Sequence, residues 1–339
     1  MKSIVYTRTG PAEVLNLIER PIPEVSSGQV RVRIVVSGVN PTDWKSRRGS
    51  GDGADLGESR VPNQDGAGTV DAIGDGVASV KVGDRVWVWD AAFERPDGTA
   101  QEYVVLPENQ VVGLADTVSF DVGASLGIPA LTAHRALTAS ETGPSELAPG
   151  ALAGRTVLVT GGAGAVSHAA IQLAVWASAT VLTTVSSEEK AELARRAGAH
   201  HVVNYRTDDV AEAVARIAPE GVDVVVEVNA TANIATSVAV VAPGGTISIY
   251  TSESQEFLPV PVRPSMTKNI RYQFILTYTT TPDQKAAAVR AVVHAVADGV
   301  LGVGEEHGLP ITRFPLEHTA DAHRAVENDT VGKVLIDVG

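Results

Sequence analysis

The segment TVLVTGGAGAVSHAAIQLAVWASATVLTTV, residues 156–185, limits the possible folds more than any other. An apolar run of strand character leads into a glycine turn. The turn opens a stretch in which Val166, Ala169, Ala170, Leu173 and Ala177 share one helical side. A second apolar run follows. Strand, turn, helix and strand make a βαβ unit, whose parallel strands belong in a sheet covered on both faces. Gly162, Gly164 and Ser167 stand at the spacing G-x-G-x-x-G, with serine in the third place. The first glycine of that spacing permits a tight turn, the second lets backbone approach a pyrophosphate, and the third lets helix and strand pack closely. The helix start adds free N–H groups and a positive dipole end. Gly162, Ala163, Gly164, Ala165 and Val166 are thus the expected phosphate cradle, against the alternative of a purely structural turn. Ser167 is expected to fit the packing position and to bring a hydroxyl near the pyrophosphate.

The alternation continues downstream. SEEKAELARRAG is a helix with Ser187 as N-cap and Gly198 after its end. HHVVNY, GVDVVVEV, GGTISIY and RYQFILTY are further strands, so six strands are expected in a doubly wound parallel Rossmann sheet. The first ~120 residues read differently. QVRVRIVV alternates Val30, Val32, Ile34 and Val36, and GTVDAIG, DRVWVW and QEYVVLP follow with Gly, Pro and Asp between them. That is the texture of an antiparallel barrel or sandwich. Residues 47–59 read as a mobile surface loop, 138–154 as a connection, and 283–299 as a helix. The expected fold class is α/β with a second, β-rich domain. The first domain is expected at 1–123 and completed by 282–339, and the dinucleotide-binding domain at 124–281.

The chain has 339 residues and no cysteine, which removes disulfides, thiolate nucleophiles and Cys-ligated metals. The net charge of −13 disfavours nucleic acid and anionic membranes as partners. No signal peptide or membrane span is legible, so a cytoplasmic location is expected. The eight histidines lack metal-site spacing: His200 and His201 are adjacent, and His318 and His323 are five apart. No nucleophile elbow or Ser-x-x-Lys pattern occurs. A bound cofactor must then carry the chemistry.

An NAD site usually places an acid at the end of the second strand to hold the ribose 2′-hydroxyl. Here that strand ends in Thr184, Val185, Ser186 and Ser187, with Lys190 beyond. Small hydroxyls and a lysine suit the 2′-phosphate of NADPH. Glu188 and Glu189 argue for NADH unless they face solvent.

The segments SGVNPTDWKSRRG, VPNQDGAGTVDAIGDGV, SLGIPALTAHRAL, VLVTGGAGAVSHAAIQLA, AGAHHVVNY and GKVLIDVG carry a further signal. Through them the chain resembles, nearly end to end, the zinc-independent quinone oxidoreductases of the medium-chain dehydrogenase/reductase superfamily, the ζ-crystallin-like group. The resemblance implies a GroES-like β-barrel catalytic domain beside the Rossmann domain, NADPH as cofactor, a quinone or conjugated enone as hydride acceptor, and a homodimer. Zinc-dependent relatives have Gly-His-Glu where this chain has Asn63-Gln64-Asp65, so Gln64 replaces a metal ligand. The resemblance places Asn40 and Lys45 at the substrate and nicotinamide face, and Thr132 in the nicotinamide pocket. It assigns Lys190 and Tyr205 to the 2′-phosphate and adenosine, beside Ser186, which the strand end itself suggests. It puts Asn229, Tyr250, Thr251, Phe274, Leu276 and Lys333 near the cofactor. Trp87, Trp89 and Phe93 are open between pocket and core. Alternatives on the same fold are an enoyl-thioester or polyketide-pathway reductase, and a non-catalytic NADPH-binding protein with a structural or RNA-associated role.

Overall fold

The computed structural model describes residues 1–51, 53–252 and 257–339. The chain divides into two compact units, residues 1–128 with 310–339, and residues 129–309.

The second unit holds a six-stranded, fully parallel sheet: β1 (Thr156–Val159), β2 (Thr180–Val185), β3 (His201–Asn204), β4 (Val222–Glu227), β5 (Val241–Ile249) and β6 (Arg271–Phe274). The order across it is β3-β2-β1-β4-β5-β6. The direction of winding reverses between β1 and β4, which opens a crevice at the carboxyl ends of those strands. Helices α1 (Ala165–Trp176), α2 (Glu188–Arg196), α3 (Val210–Ile217), α4 (Ala230–Val240), α5 (Val262–Lys268) and α6 (Pro282–Ala297) accompany the strands. Burial explains the strand composition: Val157, Leu158, Val181, Leu182, Val225 and Ile247 are at most 1% exposed. The Ser187 hydroxyl accepts the Lys190 N–H at 3.3 Å, and Gly198 closes α2 at φ +102°, as its C-terminal position requires.

The first unit is β-rich. Its seven-stranded sheet contains Gln29–Val39, Asp65–Ile73, Arg85–Val88, Tyr103–Pro107 and Val111–Gly113. The C-terminal strands Ile311–Pro315 and Lys333–Asp337 complete it. Lys333–Asp337 pairs antiparallel with Gln29–Val39, which carries the C-terminus back to the first domain's core. A three-stranded sheet joins Asn16–Glu19, Lys2–Arg8 and Asp55–Arg60.

Three expectations need correction. The helix expected at 283–299 runs from Pro282 to Ala297 and belongs with residues 129–309, so only the segment from Pro310 returns to the first unit. Its face of Ala287, Ala288, Ala291, Val292 and Ala295 is buried, and such a stripe must stay with the core that covers it. Residues 124–128 lie in the first unit, where Ile128 donates its N–H to Asp65. The stretch 47–59 is not all loop: it contains the last turn of helix Pro41–Arg48 and most of strand Asp55–Arg60.

Candidate active site

In the second unit the glycine turn joins β1 to α1. A Cβ on Gly162 would lie 2.3 Å from Thr183 Oγ1, so this glycine is demanded by the approach of β2. Gly164 is different. A Cβ there would meet only the Gly161 carbonyl oxygen, at 3.5 Å, so its backbone faces open space at the start of α1. Gly164 is the N-cap, and Ala165 and Val166 follow in the first turn, which contains no acid. An uncovered, acid-free helix start suits an anion.

Ser167 is fully buried. Its hydroxyl donates to the Thr160 carbonyl at 2.8 Å and accepts from the Tyr250 hydroxyl at 3.1 Å. The serine therefore ties the ends of β1 and β5 to α1, and its hydroxyl is already committed. Burial comes first among the causes that push the Tyr250 phenol above its ordinary value.

Beneath this turn lies Glu227, which is fully buried at the end of β4 and absent from the sequence expectations. Its Oε1 accepts from Thr160 Oγ1 at 3.1 Å, Asn229 N at 2.7 Å and Asn233 Nδ2 at 2.8 Å; Oε2 accepts from Ser237 Oγ at 2.8 Å. The only sequence signal was an acid closing an otherwise apolar run, which reads equally well as a strand end meeting solvent.

Around the β1–β4 switch a cavity of about 660 Å³ is lined by Gly161, Thr184, Tyr205, Val228, Asn229 and Asn233, among others. Its size is that of a cofactor pocket. Ser186 follows β2 directly and Lys190 lies in the first turn of α2, from which its Nζ donates to Ser186 Oγ at 3.2 Å. A second cavity of about 500 Å³, at the ends of β5 and β6, brings together Tyr250, Thr251, Phe274 and Leu276. Thr132 is buried on the helix Gly127–Leu137 and lines neither of these two cavities.

In the first unit, residues far apart in sequence converge. Asn40 is 2% exposed, Lys333 2%, and Asp43 and Asp65 at most 3%. Lys333 Nζ donates to Asn40 Oδ1 at 2.7 Å and to the Val39 carbonyl at 3.2 Å, and it lies 4.0 Å from Asp65 Oδ2. Asn40 Nδ2 donates to Asp65 Oδ2 at 2.7 Å. The Ile128 N–H donates to Asp65 at 2.9 Å, and the Asn40 N–H to Asp43 at 2.7 Å. Gly127 is glycine because a Cβ there would sit 2.1 Å from Asp65 Oδ1. Burial pushes the Asp65 carboxyl up to about 6, against the pull of Lys333. Burial and the neighbouring Asp65 raise Asp43 as well, and burial lowers Lys333.

Asn40 and Lys333 are thus part of one buried ion cluster. Lys45 does not join it: it is exposed on the same helix as Asp43, with Nζ 5.7 Å from the Trp44 ring centre. Gln64 is 6% exposed, and its amide oxygen accepts the Ala92 N–H at 3.0 Å. Trp87 is a core residue at 1% exposed. His168 is buried, with Nε2 2.7 Å from the His307 carbonyl; a carbonyl only accepts, so Nε2 carries the proton. Burial pulls its pKa down to about 4, so the ring is neutral near pH 7.

The family described as alcohol dehydrogenase GroES-like domain matches residues 26–116, and that described as zinc-binding dehydrogenase matches residues 165–294. A quinone oxidoreductase from Lama guanicoe is 30% identical over 99% of this chain and 97% of its own. The chain belongs to the quinone oxidoreductases of the medium-chain dehydrogenase/reductase superfamily. Among solved structures, an NAD-dependent alcohol dehydrogenase superposes with a TM-score of 0.85 at 28% identity, covering 100% of both chains. A mycobacterial protein complexed with NADPH superposes at 0.81 and 28% identity, covering 99% of both. The chain is accordingly an oxidoreductase with a Rossmann sheet and a GroES-like domain. Among the described residues no helix is long and apolar enough to cross a membrane.

Proposed function

We propose that this enzyme uses NADPH to reduce a quinone or a conjugated enone without zinc. The observation that carries the reading is the crevice at the β1–β4 switch, with an open glycine turn on one side and an acid-free β2 end on the other. Gly162–Val166 would hold the pyrophosphate, and Ser186 and Lys190 the 2′-phosphate. Tyr205 and Asn229 would line the adenosine side, and Thr251, Phe274 and Leu276 the nicotinamide side. When bound, NADPH supplies the hydride. The residues of this chain bind and orient both partners, and positioning supplies most of the rate.

The donors near Gln64 do not suit zinc. The Gln64 amide oxygen is occupied by Ala92, the Asp65 carboxyl is engaged by Asn40 and Ile128, and Asp43 Oδ2 accepts the Asn40 N–H. With no cysteine in the chain, the thiolate ligands common in this chemistry are also missing.

Mixing the protein with NADPH and a panel of quinones, enones and enoyl thioesters, and following the absorbance of the reduced nicotinamide, tests the reading. Turnover is expected with quinones or enones, and none with any of them removes it. Lys190→Ala should raise KM for NADPH by about tenfold or more, as loss of a hydrogen bond to a charged group does, and leave KM for NADH unchanged. An equal rise for both cofactors removes the 2′-phosphate role.

The same reading includes a homodimer. β6 is one of the sheet's two edge strands, and on or beside it Val262, Met266, Phe274 and Leu276 are 67%, 66%, 63% and 57% exposed. An open edge flanked by apolar side chains suits a second copy of the same chain. Sedimentation should give twice the chain mass for the wild type and the monomer mass for Met266→Asp.

A further inference from the structure

Glu227 does more than tie strand ends together. It also fixes what one wall of the 660 Å³ cavity presents to a ligand. Asn233, half-buried on α4, lines that cavity. Its Nδ2 donates to Glu227 Oε1 at 2.8 Å, and the same oxygen takes the backbone N–H of Asn229 at 2.7 Å. A backbone N–H can only donate, so Glu227 Oε1 is an acceptor and the amide branch facing it must be the NH₂. The other branch is thereby fixed as the oxygen, on the side away from the carboxyl. No donor among the described residues pairs with Asn233 Oδ1, and it is not one of the fully buried unpartnered atoms, so it is open to the cavity.

Neighbouring polar groups of the wall are already engaged. Thr160 Oγ1 and Ser237 Oγ donate to Glu227, Thr184 Oγ1 accepts the Gly161 N–H at 3.2 Å, and Asn229 Oδ1 accepts the Ala232 N–H at 3.4 Å. On the α3 side, Asp208 and Asp209 are exposed and accept the backbone N–H groups of Asn204 and Glu212. Among the described residues no lysine or arginine lines this cavity, so it does not suit a phosphate. Val210, Ala211, Val228, Ala232 and Ala235 give it small apolar walls, which suit a flat, uncharged ring.

We propose that Asn233 Oδ1 accepts a hydrogen bond from the 6-amino group of the cofactor's adenine, and so selects adenine over purines with an oxo group at that position. The inference rests on the cofactor reading above, which sets the 2′-phosphorylated ribose at Ser186 and Lys190. The base on that ribose then enters the cavity past Thr184 and Tyr205, both of which line it. In an adenine joined to ribose through N9, the 6-amino group is the only N–H donor, while N1, N3 and N7 accept. A fixed acceptor at the ring edge therefore reads that group alone. Hypoxanthine has an oxygen in the same place, which would meet Asn233 Oδ1 lone pair to lone pair. Selectivity then has two sources, a bond gained with one base and a repulsion met with the other. Glu227 acts through Asn233, as the group that positions its amide.

Reduced nicotinamide hypoxanthine dinucleotide phosphate differs from NADPH only at this edge of the base, which makes it the probe. In fluorescence titrations of the wild type near pH 7, Kd for NADPH should be lower than Kd for the probe by at least about fivefold, as one hydrogen bond exchanged for a repulsion requires. In Asn233→Ala the ratio of the two constants should fall below about twofold, chiefly because NADPH binds less tightly. The alanine also takes one donor from Glu227. A site loosened in that way weakens both dinucleotides together and leaves their ratio at the wild-type value, so the ratio separates recognition from structure. A smaller ratio in the wild type, or an Asn233→Ala ratio that does not fall, overturns the proposal. If the variant does not fold, the wild-type ratio decides by itself. Failure of the wild type to bind either dinucleotide overturns instead the cofactor reading.

Discussion

Replacing Lys333 by methionine should destabilise the protein by about 3–5 kcal/mol at pH 8, the cost of breaking a buried ion pair by removing one partner. Methionine matches the length of the lysine stem and removes only the ammonium. Asn40 Oδ1 and the Val39 carbonyl then lose their donor, and Asp65 loses the cation 4.0 Å away. The cost should shrink with acid, because a protonated Asp65, whose carboxyl titrates near 6, needs no cation. The wild type carries a related signature. Burial raises both Asp65 and Asp43 above the ordinary carboxylate range, so the folded chain binds more protons than the unfolded one. Their contribution is complete below about pH 4, where unfolded carboxyls are also protonated, and is lost as pH rises through about 6 and beyond. Lys333 is shifted the other way, so its own contribution is lost as pH falls from the ordinary lysine range. Urea unfolding of both proteins between pH 5 and 8 checks this. A difference below 1 kcal/mol at pH 8, or one that does not shrink toward pH 5, would show that the cluster does not depend on its lysine.

Glu227→Ala should cost about 3–5 kcal/mol and weaken NADPH binding by at least about tenfold. Four donors converge on this carboxyl, and alanine takes away the acceptor they share, that of the buried Ser237 hydroxyl included. Thr160 and Asn229 both belong to the 660 Å³ cavity, and Thr160 also receives the Ser167 hydroxyl. Loss of the carboxylate therefore loosens the ends of β1 and β4 together, and the crevice between them loses its shape. Glu227→Gln should recover about half of the loss, since its amide oxygen still accepts while its NH₂ opposes one set of donors. Denaturation midpoints and NADPH titrations of the three proteins test this. An alanine variant that keeps its affinity within twofold would separate the network from the cofactor site.

The sheet of the second unit was legible because its signals are local. Apolar runs such as TVLV and DVVVEV, with a glycine turn between strand and helix, specify parallel strands covered on both faces wherever they occur. Ser187 and Gly198 likewise cap α2 by contacts a few residues away. Ser167 was legible as a packing position, whereas its partners Thr160 and Tyr250 were not. Tyr250 is 83 residues from Ser167, and nothing near either one announces the other. Glu227 went unnoticed for the same reason.

From its sequence alone, this protein was bound to form a Rossmann sheet with an acid-free second strand and a site without thiolates. Those properties depend on residue order over spans of a few to thirty positions. Only the tertiary structure decided that Lys333 reaches Asn40 across 293 residues, that Asp65 lies beside both, and that Ala92 N–H takes the oxygen of the Gln64 amide. Such pairings are set when strands from opposite ends of the chain share one sheet. The low dielectric of the resulting interior then makes each buried charge depend on a partner that the sequence does not place beside it.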